Sequence, residues 1–354
     1  MKKIIVFALA LLCLVGCSDS KTTVDDDPIE KYGSDVLNVF NWGEYIGEDV
    51  IANFEEEYGV KVNYSMFDSN EILYTKLLGG TSYDVIVPSD YMIERLMEEG
   101  MLQPLDYSYM TNLDDLDPGV VALRDEYDPD GVYSMPYFWG SVGLIYNKKN
   151  VDVDKLEELG WNILKDTEYA DRIFMYDSER DSFMVALKAL GYSMNTENMD
   201  EINEAYEWLC ELHDTMHPAY VTDEVNDAMI NNEKDIAVVY SGAAAYIISQ
   251  NEDMGYYMPK EGTNVWTDSM VIPANAKNPK LANEFINFML NYDEAMDSSI
   301  AVGYTSANKK VVETLSSEGK LYDGNEAYSF DASNSNNEVF KHNDTLKKVL
   351  SDMW

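Results

Sequence analysis

Three consecutive strand–helix units near the start of the chain restrict its fold more than any other feature. Short apolar runs typical of strands cover residues 36–40, 60–66 and 83–87, and an amphipathic helical pattern follows each run. The predicted helices cover residues 48–58 and 70–78, and the third begins at Ser89 or Asp90 and ends at Gly100. A glycine stops each helix, as is common at helix C-termini. Such units predict a parallel sheet with helices on both faces.

The remainder of the chain continues this alternation less regularly. Strands are predicted at residues 142–146, 173–176, 235–240, 255–258 and 265–273, and helices at residues 182–190, 200–215, 242–250, 280–291 and 337–353. At 354 residues the chain is long enough for two domains of ordinary size. The predicted fold class is therefore α/β with two domains.

The N-terminus has the pattern of a secretion signal. Lys2 and Lys3 precede an apolar run at residues 4–14, which is too short to span a bilayer. The sequence Leu-Val-Gly-Cys at residues 14–17 resembles the lipobox of bacterial lipoproteins, where cleavage leaves the cysteine as a lipidated first residue. We therefore predict a signal peptide over residues 1–16, lipidation at Cys17, and a polar tether over residues 17–35. The body would then be extracytoplasmic and anchored to the cell membrane.

Cysteine usage predicts a mature chain without an internal disulfide. Cys13 would leave with the signal and Cys17 would be acylated, so Cys210 would be the single thiol that remains. Cys210 lies within a helical pattern of apolar residues, which predicts a buried structural thiol.

The charge of the chain excludes one class of partner. Acidic residues number 65 against 25 basic ones, which gives a formal net charge of −40. A phosphate backbone would be repelled, so nucleic acid is excluded as a partner. Cationic ligands are favoured only weakly, because an acidic surface also serves solubility.

Aromatic and acidic side chains recur where the predicted strands end. Ligands in open parallel sheets bind beyond the carboxyl ends of the strands. The segments that follow five predicted strands combine rings with carboxylates or hydroxyls, and they cover residues 41–45, 67–71, 88–91, 176–181 and 240–242. Trp266 and Asp268 add a further pair, because alternate residues of a strand face the same side. This combination predicts a site for an organic cation.

Simple energetics favour a flexible diamine over a rigid polar ligand. Burial of four methylenes against aromatic walls would contribute roughly 3 kcal/mol, and each cation–π contact about 0.5–2 kcal/mol. A buried ammonium without a partner would cost several kcal/mol, so each end of the ligand needs its own carboxylate.

Six motifs along the chain carry a family resemblance. They are Phe-Asn-Trp-Gly-Glu-Tyr at residues 40–45, Asp-Ser-Asn-Glu at 68–71, Val-Pro-Ser-Asp-Tyr at 87–91, Pro-Tyr-Phe-Trp-Gly at 136–140, Leu-Gly-Tyr-Ser at 190–193, and Trp-Thr-Asp-Ser at 266–269 followed by Ile-Pro-Ala-Asn-Ala-Lys at 272–277. In this order and at this spacing, residues 37–307 closely resemble the spermidine/putrescine-binding proteins of bacterial polyamine ABC transporters.

The resemblance implies a type II periplasmic-binding-protein fold, in which two α/β lobes close on a ligand in the cleft between them. Residues 36–140 and 268–310 would form lobe 1, and residues 141–267 and 311–354 would form lobe 2. The implied partners are a polyamine, either spermidine or putrescine, and the permease subunits of the transporter, and no cofactor is implied. The ligand-binding residues carried over from the family are Trp42, Tyr45, Ser89, Tyr91, Asp181, Tyr240, Trp266 and Asp268.

The resemblance leaves the residues at two parts of the implied site undecided. Asp181 matches the second acid of the family's acidic pair, but Ser178 falls on the first, and Asp177 or Glu179 could compensate. After residue 307 the match fades, so that Lys341 is only the nearest counterpart of a polar residue that the family contributes late in the chain. The preferred polyamine therefore stays undecided.

Two rival functions follow from other residues. His213 and His217 have the i, i+4 spacing of a helical zinc pair, but Asp214 stands where that motif has Glu, and Pro218 ends the helix. No catalytic motif accompanies them, so we predict neither a metal site nor an enzyme. A receptor of the same fold for ferric iron is the alternative, with Tyr256 and Tyr257 as ligands, although strand alternation would turn the two apart.

Overall fold

The computed structural model describes residues 27–43, 45–222 and 224–354. The strands are β1 (Val36–Trp42), β2 (Lys61–Phe67), β3 (Val85–Ile86), β4 (Leu102–Gln103), β5 (Ser134–Asn147), β6 (Ile173–Tyr176), β7 (Ala219–Val221), β8 (Ile236–Tyr240), β9 (Met254–Tyr257), β10 (Val265–Pro273) and β11 (Thr305–Ser306). The helices are α1 (Pro28–Tyr32), α2 (Val50–Tyr58), α3 (Asn70–Leu78), α4 (Asp90–Glu98), α5 (Pro118–Asp125), α6 (Val153–Leu159), α7 (Glu179–Leu190), α8 (Met199–Met216), α9 (Val225–Ile230), α10 (Ser241–Gln250), α11 (Pro279–Met289), α12 (Tyr292–Val302), α13 (Lys309–Leu315) and α14 (Asp344–Met353).

The strands form a mixed sheet in the order β2-β1-β3-β10-β5-β8-β6-β7. The first three strands pair in parallel, as the strand–helix units predict. β6 also pairs in parallel with β7 and β8. The parallel pairing does not extend through the whole sheet, because β10 runs antiparallel to both β3 and β5. The two central strands thus run against each other and join two parallel groups of strands.

β5 and β10 connect the two halves of the molecule. The first part of β5 pairs with β10, and its last residues pair with β8 and β9. All 14 residues of β5 are buried, and so are all nine of β10. A β-bulge interrupts the ladder between Asp268 and Ser269 of β10. The connection between the halves is therefore a buried two-stranded ladder with one irregularity.

Separate cores lie on the two sides of this ladder. Phe138 and Trp139 of β5 pack in a cluster with β1 and α11, whereas Val142 and Leu144 of the same strand pack in a cluster with α7 and α8. The fold therefore has two α/β lobes, as the resemblance implies. The lobe boundaries at residues 140/141, 267/268 and 310/311 stay a prediction.

Part of the segment predicted as a tether is packed against the body. α1 lies within residues 17–35, and Tyr32 at its end is buried near the ring of Tyr58, 6.3 Å away between ring centres. An aromatic residue can cover apolar surface even when its neighbours are polar. The body therefore includes α1, whereas the predicted signal peptide and the lipidation site at Cys17 lie outside the described residues.

Two further sequence predictions are wrong. Cys210 is exposed, because α8 buries Ile202, Leu209 and Leu212 on one face and the thiol lies on another. The last helix begins at Asp344 rather than at residue 337, because the preceding segment hydrogen-bonds to other parts of the chain and Asn343 caps the helix. None of the described helices is long and apolar enough to cross a bilayer.

Candidate functional site

A cavity of about 860 Å³ lies between the ends of the strands. Residues at or just after the ends of β1, β2, β3, β6 and β8 line it, and β10 forms one wall. Its principal side chains are Trp42, Tyr45, Asn70, Glu71, Ser89, Asp90, Tyr91, Arg180, Asp181, Tyr240, Trp266, Asp268, Tyr304, Phe340 and Lys347. The volume lies within the usual range for small-molecule sites.

The topology explains why these side chains meet. β1, β2 and β3 are parallel neighbours, so their carboxyl ends open at one edge of the sheet. β6 and β8 are also parallel neighbours and present their ends from the other lobe. All eight residues that the resemblance implies line this cavity. Their role in binding a ligand stays a prediction.

Asp268 holds a buried carboxylate whose two oxygens differ. The hydroxyl of Tyr45 donates a hydrogen bond of 2.6 Å to Oδ2, while Oδ1 is buried without a hydrogen-bond partner among the described residues. Burial raises the pKa of Asp268 to about 6, although the hydrogen bond from Tyr45 and the influence of the Ser89 hydroxyl act in the opposite direction. Burial also raises the pKa of Tyr45 well above its usual value, so this hydroxyl stays a donor.

Asp181 repeats the arrangement on the other lobe. The hydroxyl of Tyr240 donates to Oδ2 at 2.8 Å, and Oδ1 is buried without a partner in the described part of the chain. Asp181 lies in the first turn of α7, and its backbone N–H donates to the Oγ of Ser178, which caps that helix. Burial raises the pKa of Asp181, since its partners compensate only in part. Each lobe thus presents one tyrosine-bound carboxylate.

Aromatic rings form the walls between the two carboxylates. The indole of Trp266 is 9% exposed and meets Tyr240 edge-on at 6.2 Å and Tyr304 edge-on at 5.0 Å between ring centres. The space for this indole depends on Gly140 of β5, where a Cβ atom would lie 2.4 Å from Cζ2 of Trp266. Trp42 continues the wall and packs at 4.5 Å against Phe67. These faces suit a hydrocarbon chain or a cation.

Asn70 holds one wall of the cavity in place. Its amide nitrogen donates to the Oγ of Ser89 at 3.1 Å and to the hydroxyl of Tyr91 at 3.0 Å, and its Oδ1 accepts from the backbone N–H of Ser89 at 3.2 Å. Ser89 and Tyr91 therefore depend on a buried amide for their positions. Asn70 stands in one of the six motifs but is not among the predicted binding residues.

Asp90 is a buried acid within the strand-end segment 88–91, and it is not among the eight predicted binding residues. It is 1% exposed, and its carboxylate accepts from the backbone N–H groups of Tyr91 at 2.7 Å and of Thr267 at 3.3 Å. Burial raises its pKa to about 7, and the charge of Asp268 adds to this effect. The sequence Ser-Asp-Tyr after a strand is also typical of a helix start. The sequence alone therefore did not show whether the carboxylate of Asp90 caps the helix or lines the cavity.

The residues that the resemblance left undecided can be located in the structure. Ser178 and Glu179 line the cavity, whereas Asp177 is exposed and does not. Lys341 is not part of the lining either, because its Nζ donates to the backbone oxygen of Glu126 at 2.8 Å. The late segment instead contributes Phe340 and Lys347. Tyr304 is a further lining residue that no sequence signal identified.

The residues behind the rival functions lie outside the cavity lining. His213 and His217 are exposed, and His217 ends α8 in a left-handed conformation beside Asp171. The hydroxyl of Tyr256 hydrogen-bonds to the Oγ of Ser141 at 2.9 Å, and Tyr257 packs in a different cluster. Within the described residues, no group of three or more His, Cys, Asp or Glu side chains is arranged to hold a metal ion.

Comparisons with known proteins support the motif-based resemblance. The chain is 36% identical over 287 residues to the spermidine/putrescine-binding periplasmic protein of Salmonella typhimurium, covering 80% of this chain and 81% of that protein. It is 31% identical to a putrescine-binding periplasmic protein of Escherichia coli, covering 80% of each. The crystal structure of a spermidine/putrescine ABC transporter substrate-binding protein from Streptococcus pneumoniae matches with a TM-score of 0.78 at 36% identity, covering 90% of this chain and 97% of that one.

A family model matches most of the chain independently of these relatives. The model for bacterial extracellular solute-binding proteins covers residues 49–323, which include most of both lobes and 18 of the 23 residues that line the cavity. The sequence, the fold and the placement of the cavity lead to the same assignment, and the chain belongs to the family of bacterial extracellular solute-binding proteins.

Proposed function

We propose that this protein captures a polyamine, putrescine or spermidine, outside the cytoplasm and delivers it to the permease of an ABC transporter. One observation carries the proposal. Two buried carboxylates, Asp268 and Asp181, each have one oxygen bound by a tyrosine hydroxyl and the other without a partner among the described residues. Buried acceptors of this kind need a donor, and a carboxylate needs a positive one. The two ammonium groups of a polyamine supply both.

The aromatic walls support a ligand with a hydrocarbon body. Trp266, Tyr240 and Trp42 surround the space that a polymethylene chain would fill, and each buried methylene contributes about 0.8 kcal/mol. The names of the relatives agree with this chemistry, since they are spermidine/putrescine-binding and putrescine-binding proteins. Closure would follow because the ligand contacts side chains of both lobes.

The cellular context is part of the same proposal. A lipid on Cys17 would anchor the receptor at the outer face of the cell membrane, so that the captured amine stays close to the permease. A binding role without catalysis is consistent with the relatives, which are substrate-binding transport proteins. Ferric iron has no comparable support, because neither Tyr256 nor Tyr257 lines the cavity.

Calorimetric titration of the purified protein tests the function. Putrescine, spermidine and, as a control, the monoamine butylamine are titrated at 0.15 M salt. We expect saturable binding of at least one polyamine and much weaker binding of butylamine, because a single ammonium leaves one carboxylate without a partner. Equal affinity for butylamine and the polyamines, or no binding of any amine, would contradict the proposal.

The raised pKa of Asp268 predicts that affinity depends on pH. An ammonium group pairs with the ionised carboxylate, so binding is strongest above the pKa of about 6 and weakens as pH falls through it. At pH 5 about a tenth of such a group is ionised, so putrescine affinity should be about tenfold lower than at pH 8. The amine stays charged throughout this range. Calorimetry at constant ionic strength checks this, and an affinity that is constant or rises towards pH 5 would contradict it.

A further inference from the structure

The rim of the cavity contains a lysine of the protein itself. Lys347 of α14 forms an ion pair with Glu71, which lies in the first turn of α3, and both residues line the cavity. The two side chains are 37% and 45% exposed, respectively, so this pair lies at the opening. Burial raises the pKa of Glu71, but the hydrogen bond and the charge of Lys347 outweigh this effect and lower it. Glu71 is therefore an ionised carboxylate already bound to an ammonium group.

A second cation lies beside this pair. The guanidinium of Arg180 stands 3.9 Å from the ring centre of Tyr91 and 5.0 Å from that of Phe340. Its Nη1 is buried without a hydrogen-bond partner among the described residues, and it forms no ion pair with a carboxylate of that part of the chain. The charge of Arg180 also acts on Glu71. A ligand ammonium that approached Glu71 would therefore meet two like charges.

The interior of the cavity differs from the rim in having no direct ion pair. Asp90, Asp181 and Asp268 are 1%, 4% and 6% exposed. The charge of Arg180 acts on Asp90 and Asp181 as well as on Glu71, but none of the three buried acids forms an ion pair with a lysine or arginine in the described ranges. Carboxylates are thus available for a ligand in the interior, whereas at the rim the carboxylate of Glu71 is compensated. The distribution of charge therefore changes with depth.

We propose that Lys347 is a specificity-determining residue that makes the cleft select a diamine over a triamine. The inference rests on the proposed function. A diamine places its two ammonium groups on the two buried carboxylates. The third ammonium of a longer amine extends to the rim, where Lys347 already occupies Glu71 and like charges repel it.

Neither the size of the cavity nor the other acidic residues of the rim would abolish this preference for a diamine over a triamine. A volume of about 860 Å³ accommodates amines of either length, so charge rather than space discriminates. Asp68 is exposed, and an exposed carboxylate contributes little to an ion pair. Glu179 lies in the first turn of α7, where the N-terminus of the helix already stabilises its charge.

The test compares the ratio of two dissociation constants, spermidine over putrescine, by calorimetry on the purified protein. Lys347→Met keeps the length of the side chain and removes its charge. We expect the ratio to fall about fivefold, the upper end of what a partly exposed ion pair contributes. Lys348→Met is the matched control, because the exposed Lys348 follows directly in α14 and does not line the cavity. In the double variant Glu71→Gln/Lys347→Met this fall in the ratio should disappear, since no carboxylate remains at position 71 to bind the third ammonium.

The possible outcomes separate the two proposals. If the unmodified protein binds neither amine, the proposed function fails and the inference fails with it. If it binds a polyamine but Lys347→Met leaves the ratio unchanged, or Lys348→Met shifts it equally, the function stands and the role of Lys347 is refuted. A shift in Lys347→Met that persists in the double variant would also refute it, because the effect would then not pass through Glu71.

Discussion

Replacement of Asp268 by Asn is expected to weaken putrescine binding about a hundredfold or more. Loss of one partner from a buried charge pair typically costs about 2–5 kcal/mol, and about 3 kcal/mol corresponds to roughly 150-fold in affinity. The asparagine keeps the shape of the side chain and can still accept from Tyr45, so the wall of the cavity should persist. Calorimetry measures the affinity, and thermal unfolding shows whether the fold is retained.

A matched variant separates the local effect from the loss of charge. Asp253 is paired with Lys149 outside the cavity lining, and Asp253→Asn changes the net charge by the same amount. We expect its affinity for putrescine to stay within twofold of the unmodified protein. If Asp268→Asn also bound putrescine normally, Asp268 would not hold the ammonium group and the assigned site would be wrong.

Replacement of Trp266 by Ala is expected to lower polyamine affinity by about 1–3 kcal/mol, which is roughly five- to 150-fold. The indole is one wall of the cavity, and its removal takes away both the apolar surface along the methylenes and the ring face available to a cation. Trp266→Phe keeps a smaller ring and should recover part of the loss. Titration of both variants with putrescine checks this order.

The control for this prediction is a tryptophan outside the site. Trp354 is 44% exposed at the end of the chain and does not line the cavity, so Trp354→Ala should leave the affinity unchanged. An affinity of Trp266→Ala equal to that of the unmodified protein would show that the ligand does not lie against the indole. Because Trp266 also packs on Tyr304, thermal unfolding of each variant accompanies the titrations.

Local sequence patterns were sufficient to predict a helix or strand where the segment has one strong hydrophobic period. Three predicted elements coincide with α3, β6 and β10 at both ends, because caps, glycines or apolar runs mark their limits. β5 was predicted only over residues 142–146, although it begins at Ser134. Its first half combines aromatic residues with Pro136, and its strand state depends on pairing with the distant β10, which no local pattern encodes.

The site was predictable to the extent that strand ends mark it. Ser89, Tyr91, Asp181 and Tyr240 follow or end strands, and the topology rule for open sheets places such residues in a cleft. Tyr304, Phe340 and Lys347 come from segments outside those strand ends, so only the tertiary fold brings them to the cavity. The exposed position of Cys210 was missed for a related reason, since a helical pattern does not show which face meets the core.

The irregularity in the β5–β10 ladder places the carboxylate of Asp268 where the two strands depart from regular pairing. Between Asp268 and Ser269 the partner on β5 changes from Phe138 to Pro136, so Tyr137 is the extra residue of a bulge in β5. A bulge bends its own strand, increases the local twist and can re-aim a neighbouring side chain. We therefore expect a change in the twist of this ladder to shift the carboxylate of Asp268, so that motion of the lobes and the hold on the amine are coupled.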